Sequence, residues 1–249
     1  MNLSGKVALV TGGTRGIGAA TAIALAREGA DVALAARRLD AQATGTRDAI
    51  LKAGRRCALL QADCGLAADI DRLVPECESA LGAVDILVHS AGGPVNGGLF
   101  ELTFEQWQKA FDVHVHALFH LCRAVIPPMR KKKEGAIILV SSTAGIRGVI
   151  TNVAYQVAKG ALPQFARALA REFANDNIRV NCVAPGVVRT DFHATMTEEQ
   201  RRLNLDHRIP LHREGTPQQV AELILVLVKN DFITGETMTI DGGLTMRIA

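Results

Sequence analysis

Aromatic residues are scarce in this chain, with one tryptophan, one tyrosine and eight phenylalanines among 249 residues. A core built on ring stacking is excluded, and packing falls to aliphatic side chains. An excess of one charge is missing too. The formal net charge of +3 is too small to argue for nucleic acid or a membrane as partner, and the Lys131-Lys132-Lys133 run is expected to be a solvated corner between elements. The five cysteines, Cys57, Cys64, Cys77, Cys122 and Cys182, are odd in number and include no C-x-x-C pair. That pattern suggests neither a disulfide framework nor a thiolate metal site. No metal site is expected elsewhere, because His116 and His120 have i,i+4 spacing but no third ligand beside them. The most apolar stretch, around Ile224 to Val228, is far too short to span a bilayer. The first strand pattern, Val7-Ala8-Leu9-Val10, begins too early to leave room for a signal peptide. A reducing, cytoplasmic setting is the expectation.

What the chain does have is aliphatic material: 48% of residues are hydrophobic and 21% charged, the balance of a globular protein with a large core. Runs rich in Val, Ile and Leu at 6–10, 31–36, 56–60, 85–90, 136–141, 178–183 and 238–240 alternate with helix-period segments at 17–28, 66–80, 103–129 and 153–174. Runs without polar alternation indicate strands covered on both faces. Repeated βα units predict an α/β fold, a doubly wound parallel sheet of about seven strands with helices on both faces. Pro127-Pro128 is expected to end a helix, and Pro75 to kink or split one. No linker interrupts the pattern, so residues 1–249 are expected to form one domain. The irregular stretch of about 186–215 has the length of a substrate loop.

Gly12, Gly16 and Gly18, in the stretch TGGTRGIG between the first strand and the first helix, let the backbone approach a phosphate. The helix beginning near Ile17 offers N–H groups to the anion, with Thr14 and Arg15 in the same turn. The second strand ends Ala35-Ala36-Arg37-Arg38. Arginine there suits a ribose 2′-phosphate, whereas an acidic residue would suit the 2′-hydroxyl, so NADP(H) is favoured over NAD(H). Further on, Tyr155 and Lys159 stand four residues apart, which in a helix puts them on one face. A cation beside a phenol favours the phenolate, and the sole tyrosine is thereby tuned as a proton donor.

The motifs TGGTRGIG at 11–18, HSAG at 89–92, Ser142, Tyr155 with Lys159 and PGVVRT at 185–190 together resemble the short-chain dehydrogenase/reductase family, whose scaffold is the Rossmann fold. The resemblance runs from Lys6 to Gly243. It implies that Tyr155 is the acid/base, that Lys159 lowers its pKa and binds the nicotinamide ribose, and that Ser142 holds the substrate oxygen. It further implies that Asp63 and Cys64 contact adenine, that Ser90, Ala91 and Gly92 border the cofactor, and that Pro185, Gly186, Val188 and Thr190 line the nicotinamide end. Two departures stand out. The family's NNAG is here His89-Ser90-Ala91-Gly92, and His114 occupies the place of an asparagine that supports a proton relay to the lysine. A histidine can donate and accept there, with acid expected to charge it near pH 6 to 7 if its pKa is ordinary (about 6.5). It could equally be a packed, inert side chain.

The function implied is an oxidoreductase acting on a small carbonyl or secondary-alcohol substrate; a cofactor-binding regulator without turnover is the alternative. RIPLHREGTPQQVAELILVLV resembles the corresponding segment of the β-ketoacyl-carrier-protein reductase branch, although the same segment recurs in sugar, polyol and steroid dehydrogenases. The family resemblance also implies a homotetramer or homodimer, with Leu118, Phe119, Leu162, Phe165 and Leu169 partly interfacial.

Overall fold

Strands and helices form in the expected alternation. The computed structural model describes residues 1–194 and 196–246, leaving aside the side chain of His193. In chain order the elements are β1 (Val7–Thr11), α1 (Gly16–Arg27), β2 (Asp31–Ala36), α2 (Ala41–Lys52), β3 (Cys57–Gln61), α3 (Ala67–Leu81) and β4 (Ile86–His89). Then come α4 (Phe104–Phe111), a π-helical turn (Asp112–His116), α5 (Ala117–Lys132), β5 (Gly135–Val140), α6 (Val153–Glu172) and β6 (Ile178–Pro185). The chain continues through α7 (Glu198–Leu203), α8 (Pro217–Lys229) and β7 (Thr237–Ile240). The seven strands lie in the order β3-β2-β1-β4-β5-β6-β7, every neighbouring pair parallel.

Strand side chains alternate between two buried faces. Ala8, Val10, Ile86, Val88 and Ile138 pack under Leu25 of α1, Ile50 of α2 and Ile224 of α8. Leu9, Leu87, Ile137 and Leu139 face Leu73 of α3, Leu121 and Val125 of α5, and Leu162 of α6. Leu118 and Leu162 are fully buried in this second layer, and Phe165 and Leu169 pack against it. Of the residues expected to be partly interfacial, only Phe119 has half its surface exposed. Among the described residues no helix is long and apolar enough to cross a membrane.

One expectation about proline fails: α5 runs past Pro127 and Pro128 to Lys132. Pro75 lies inside α3 without splitting it. A proline in a helix interior costs about 3 kcal/mol. The buried side chains of Val125, Ile126 and Met129 recover roughly 1.5–3 kcal/mol each, so tertiary packing overrides the local penalty. The basic run at the end of α5 is exposed, and two of its three lysines are paired: Lys132 binds Asp85 at 2.7 Å, and Lys133 binds Asp176.

Asp85, only 4% exposed, joins three elements, because its second oxygen accepts the Val7 N–H at 3.0 Å. Asp85→Ala leaves that amide without its acceptor and the Lys132 ammonium with only the Ala83 carbonyl, at 3.4 Å. We expect a loss of about 1–3 kcal/mol in denaturant unfolding; an unchanged midpoint would remove Asp85 from the account of how β1, β4 and α5 are joined.

Candidate active site

β1 lies at the point where the chain's connections change direction, and the carboxyl ends of β1, β4, β5 and β6 surround the crevice there. Gly18 packs so closely on the turn that a Cβ would fall 2.2 Å from the Gly12 carbonyl oxygen, and a Cβ on Gly12 would fall 2.9 Å from the Ala91 nitrogen. No side chain caps the N-terminus of α1, at Arg15. Its first N–H groups therefore suit an anion. Thr14 is buried, its carbonyl accepting the Thr46 hydroxyl at 3.1 Å. Ile17 is half-buried. Thr190 packs against Gly16, and Val188 bridges to Gly215, pinching the base of the 186–215 loop. Gly186, after Pro185, donates its N–H to the Ile240 carbonyl at 3.0 Å.

Arg37 and Arg38 follow β2 and are exposed. Arg15 pairs with Asp40 at 2.6 Å, a carboxylate two residues beyond the arginines. That carboxylate is committed to capping α2, where it accepts the Gln42 and Ala43 N–H groups. Asp63 and Arg37 line one surface groove of about 560 Å³. Of the expected adenine-contacting pair only Asp63 lines that groove. Cys64 is buried and interacts with Thr11, and it lines a separate pocket beside Asp112 and His116.

The residues expected to handle protons come from the end of β5 and from α6. Ser141 donates its hydroxyl to the Lys159 carbonyl at 2.7 Å, tying the end of β5 to the first turns of α6. The next residue, Ser142, accepts the Ala144 N–H at 3.1 Å and hydrogen-bonds the Tyr155 phenol. The strand-end cap and the contact to the phenol are thus one hydroxyl. Lys159 is 5% exposed, and its Nζ donates to the Val140 carbonyl at 2.7 Å.

Burial drives the titrations in a direction the sequence does not show. It pushes Lys159 down to about 8 and the Tyr155 phenol up to about 12, with the Ser142 hydrogen bond opposing only part of the rise. The expectation that Lys159 lowers the tyrosine's pKa is therefore corrected for the chain's own residues. Its Nζ stands 5.8 Å from the ring centroid, across the face of the ring, and desolvation of the phenol wins.

His114 sits in the π-helical turn and is 1% exposed. Its Nε2 lies 3.3 Å from the Gly93 carbonyl oxygen, and its Nδ1 is buried without a partner. The ring meets Tyr155 edge-on, centroids 5.5 Å apart, and lies so close to Gly92 that a Cβ there would fall 2.0 Å from Cε1. Desolvation, then Lys159 and His89, hold its pKa well below the ordinary value. The ordinary pKa on which protonation near pH 6 to 7 depended is therefore not what its surroundings favour.

Sequence reasoning missed Phe192. Its ring packs 5.8 Å from that of Tyr155, while its neighbour Asp191 accepts from the Gln42 amide at 3.1 Å. The available signal was that Phe192 is the one aromatic residue in the 186–215 stretch. Ser90 donates its N–H to the Thr11 carbonyl at 3.2 Å, and Ala91 lies against Gly12, so HSAG borders the glycine turn. Among the described residues no group of three potential ligands could hold a metal ion. His116 pairs with Asp112 and His120 with Asp71.

Residues 12–245 match the family model described as Enoyl-(Acyl carrier protein) reductase. The chain is 33% identical over 244 residues to the 3-oxoacyl-(acyl-carrier-protein) reductase FabG of Chlamydia muridarum, covering 97% of this chain and 98% of that one. It is 37% identical to dehydrogenase/reductase SDR family member 4 of Bos taurus, covering 97% and 88% of the two. The structure of L-sorbose reductase from Gluconobacter frateurii, complexed with NADPH and L-sorbose, superposes with a TM-score of 0.91 at 30% identity, covering 100% of each chain. The chain belongs to the short-chain dehydrogenase/reductase family, a family of oxidoreductases.

An NMR titration of the imidazole signals checks the buried electrostatics. With His89 pushed down to about 3 by burial and Lys159 and His114 held well below 6.5, both rings are expected to be neutral at neutral pH and to show no titration midpoint at pH 6 to 7. A shift of the His114 signals with a midpoint at pH 6 to 7 would contradict that.

Proposed function

We propose that this protein is an NADP(H)-dependent oxidoreductase that moves a hydride between nicotinamide and a carbonyl or secondary-alcohol substrate. The observation that carries the reading is the Tyr155 phenol, bonded to the Ser142 hydroxyl and set against a buried lysine. A regulator without turnover would have no need of a buried amine, which is costly to maintain. Arg37 and Arg38 support the 2′-phosphate form of the cofactor, in line with the NADPH named for the Gluconobacter relative. The glycine turn fits the pyrophosphate, since the space a Cβ would occupy there is already filled by backbone.

Bound NADPH supplies the hydride. Ser142 would orient the substrate oxygen, and Tyr155 would give that oxygen a proton as it gains negative charge. A phenol held near 12 by burial remains protonated at neutral pH, which suits reduction. Lys159, poised near 8, and neutral His114 beside Tyr155 can refill it without two cations in the same hole. The 186–215 loop, with Phe192 against the phenol, would close over the substrate. We place the protein in the cytoplasm, in keeping with five free cysteines, and as a homotetramer or homodimer in which Phe119 meets a second copy.

A panel of ketones and alcohols with NADPH or NADP tests the reading. Tyr155→Phe should bind NADPH as the native protein does and lose at least about 100-fold in turnover; a phenylalanine protein of native activity would exclude Tyr155 as the acid. NADPH should bind more tightly than NADH, and Arg37→Ala should erase most of that difference, because charge-assisted phosphate contacts are the strong ones. Equal affinities in the native protein, by fluorescence titration, would argue against the arginines' role.

A further inference from the structure

We propose that His89 is a positioning residue for the catalytic centre, holding the π-helical turn that carries His114 through a hydrogen bond to the Val113 carbonyl. His89 ends β4 and is fully buried. Its Nδ1 lies 2.9 Å from Thr11 Oγ1 and its Nε2 lies 3.1 Å from the Val113 carbonyl oxygen. Chemistry fixes the direction of both bonds. A carbonyl oxygen only accepts, so Nε2 carries the proton. In a neutral imidazole Nδ1 is then the acceptor, and the Thr11 hydroxyl donates to it. Thr11 Oγ1 in turn accepts the Ala91 N–H at 3.3 Å. One directed chain of hydrogen bonds thus runs from Ala91 through Thr11 and His89 to Val113.

The far end of that chain exists because of the π-turn. In an α-helix the Ala117 N–H would bond the Val113 carbonyl, but here it bonds the carbonyl of Asp112. A buried carbonyl left without a donor is costly, and the His89 Nε2–H supplies one. If that donor is lost, the turn gains by relaxing to α-helical register. One residue of register is about 100° of rotation about the helix axis, enough to carry His114 off the edge of Tyr155. There is no slack for a compromise, because the imidazole is wedged between Tyr155 and the backbone of Gly92.

The inference rests on the reading of Tyr155 as acid/base, so its test includes a readout besides turnover. His89→Gln sets an amide nitrogen where Nε2 stands and keeps the bond to Val113. His89→Asn sets an oxygen where Nδ1 stands and keeps only the bond to Thr11. In the full-length protein with NADPH, the asparagine variant should bind cofactor normally and lose about tenfold or more in kcat with little change in KM, whereas the glutamine variant should stay within about threefold of native kcat. Amide hydrogen exchange across residues 112–117 should be faster in the asparagine variant and near native in the glutamine variant. Native kcat and native protection in His89→Asn would overturn the proposal, as would equal losses of kcat in both variants. If one variant fails to fold, the other decides: a folded His89→Gln with kcat down tenfold, or a folded His89→Asn with native kcat, refutes it. A native protein that turns over no carbonyl would sink the oxidoreductase reading instead, and the exchange pattern would still decide whether His89 holds the turn.

Discussion

The constraint on which the site depends is a lysine taken almost wholly out of water. Lys159 is 5% exposed and has the Val140 carbonyl as its hydrogen-bond acceptor. An ammonium so placed is expensive, and its neighbours are selected by that cost. Both buried histidines are kept neutral in part by its charge. The strand that ends in the accepting carbonyl also presents Ser142, and the helix that carries the lysine also carries Tyr155. Geometry that satisfies the amine therefore places Ser142 and Tyr155 as well.

The parallel sheet makes such a gathering possible from residues far apart in sequence. Strands running in one direction deliver all their carboxyl ends to one edge. Thr11, His89, Ser142 and the start of the 186–215 stretch arrive there from four different strands of the ladder. The two apolar layers hold the strands from both faces, leaving this edge as the place where backbone groups and polar side chains meet.

Most of this architecture could be read from the sequence, because apolar runs bounded by glycine are strong local signals. The glycine turn, Arg37-Arg38 and the Tyr155–Lys159 spacing were legible for the same reason: each is a short pattern with its own physical consequence. What escaped were effects set by tertiary surroundings. Pro127 and Pro128 read as a stop, yet burial of Val125, Ile126 and Met129 carries α5 through them. The phenol's pKa looked like a matter for its nearest cation, whereas desolvation dominates it. The π-helical turn and the burial of Cys64 away from Asp63's groove leave no mark in composition or periodicity. His89 and His114 were visible as departures from a motif, but their hydrogen-bond partners lie on other elements.

The position of β1 in the sheet bears on the order in which the protein acquires its crevice. β1, β2 and β3 pair with near neighbours in sequence, so that half can assemble while local contacts are all that exist. The seam between β1 and β4 instead joins residues such as Thr11 and His89 across 78 positions. Closing so long a loop costs entropy before any contact returns it. On that ground the seam is expected to close late in folding, after the glycine turn has its β2 neighbour in place.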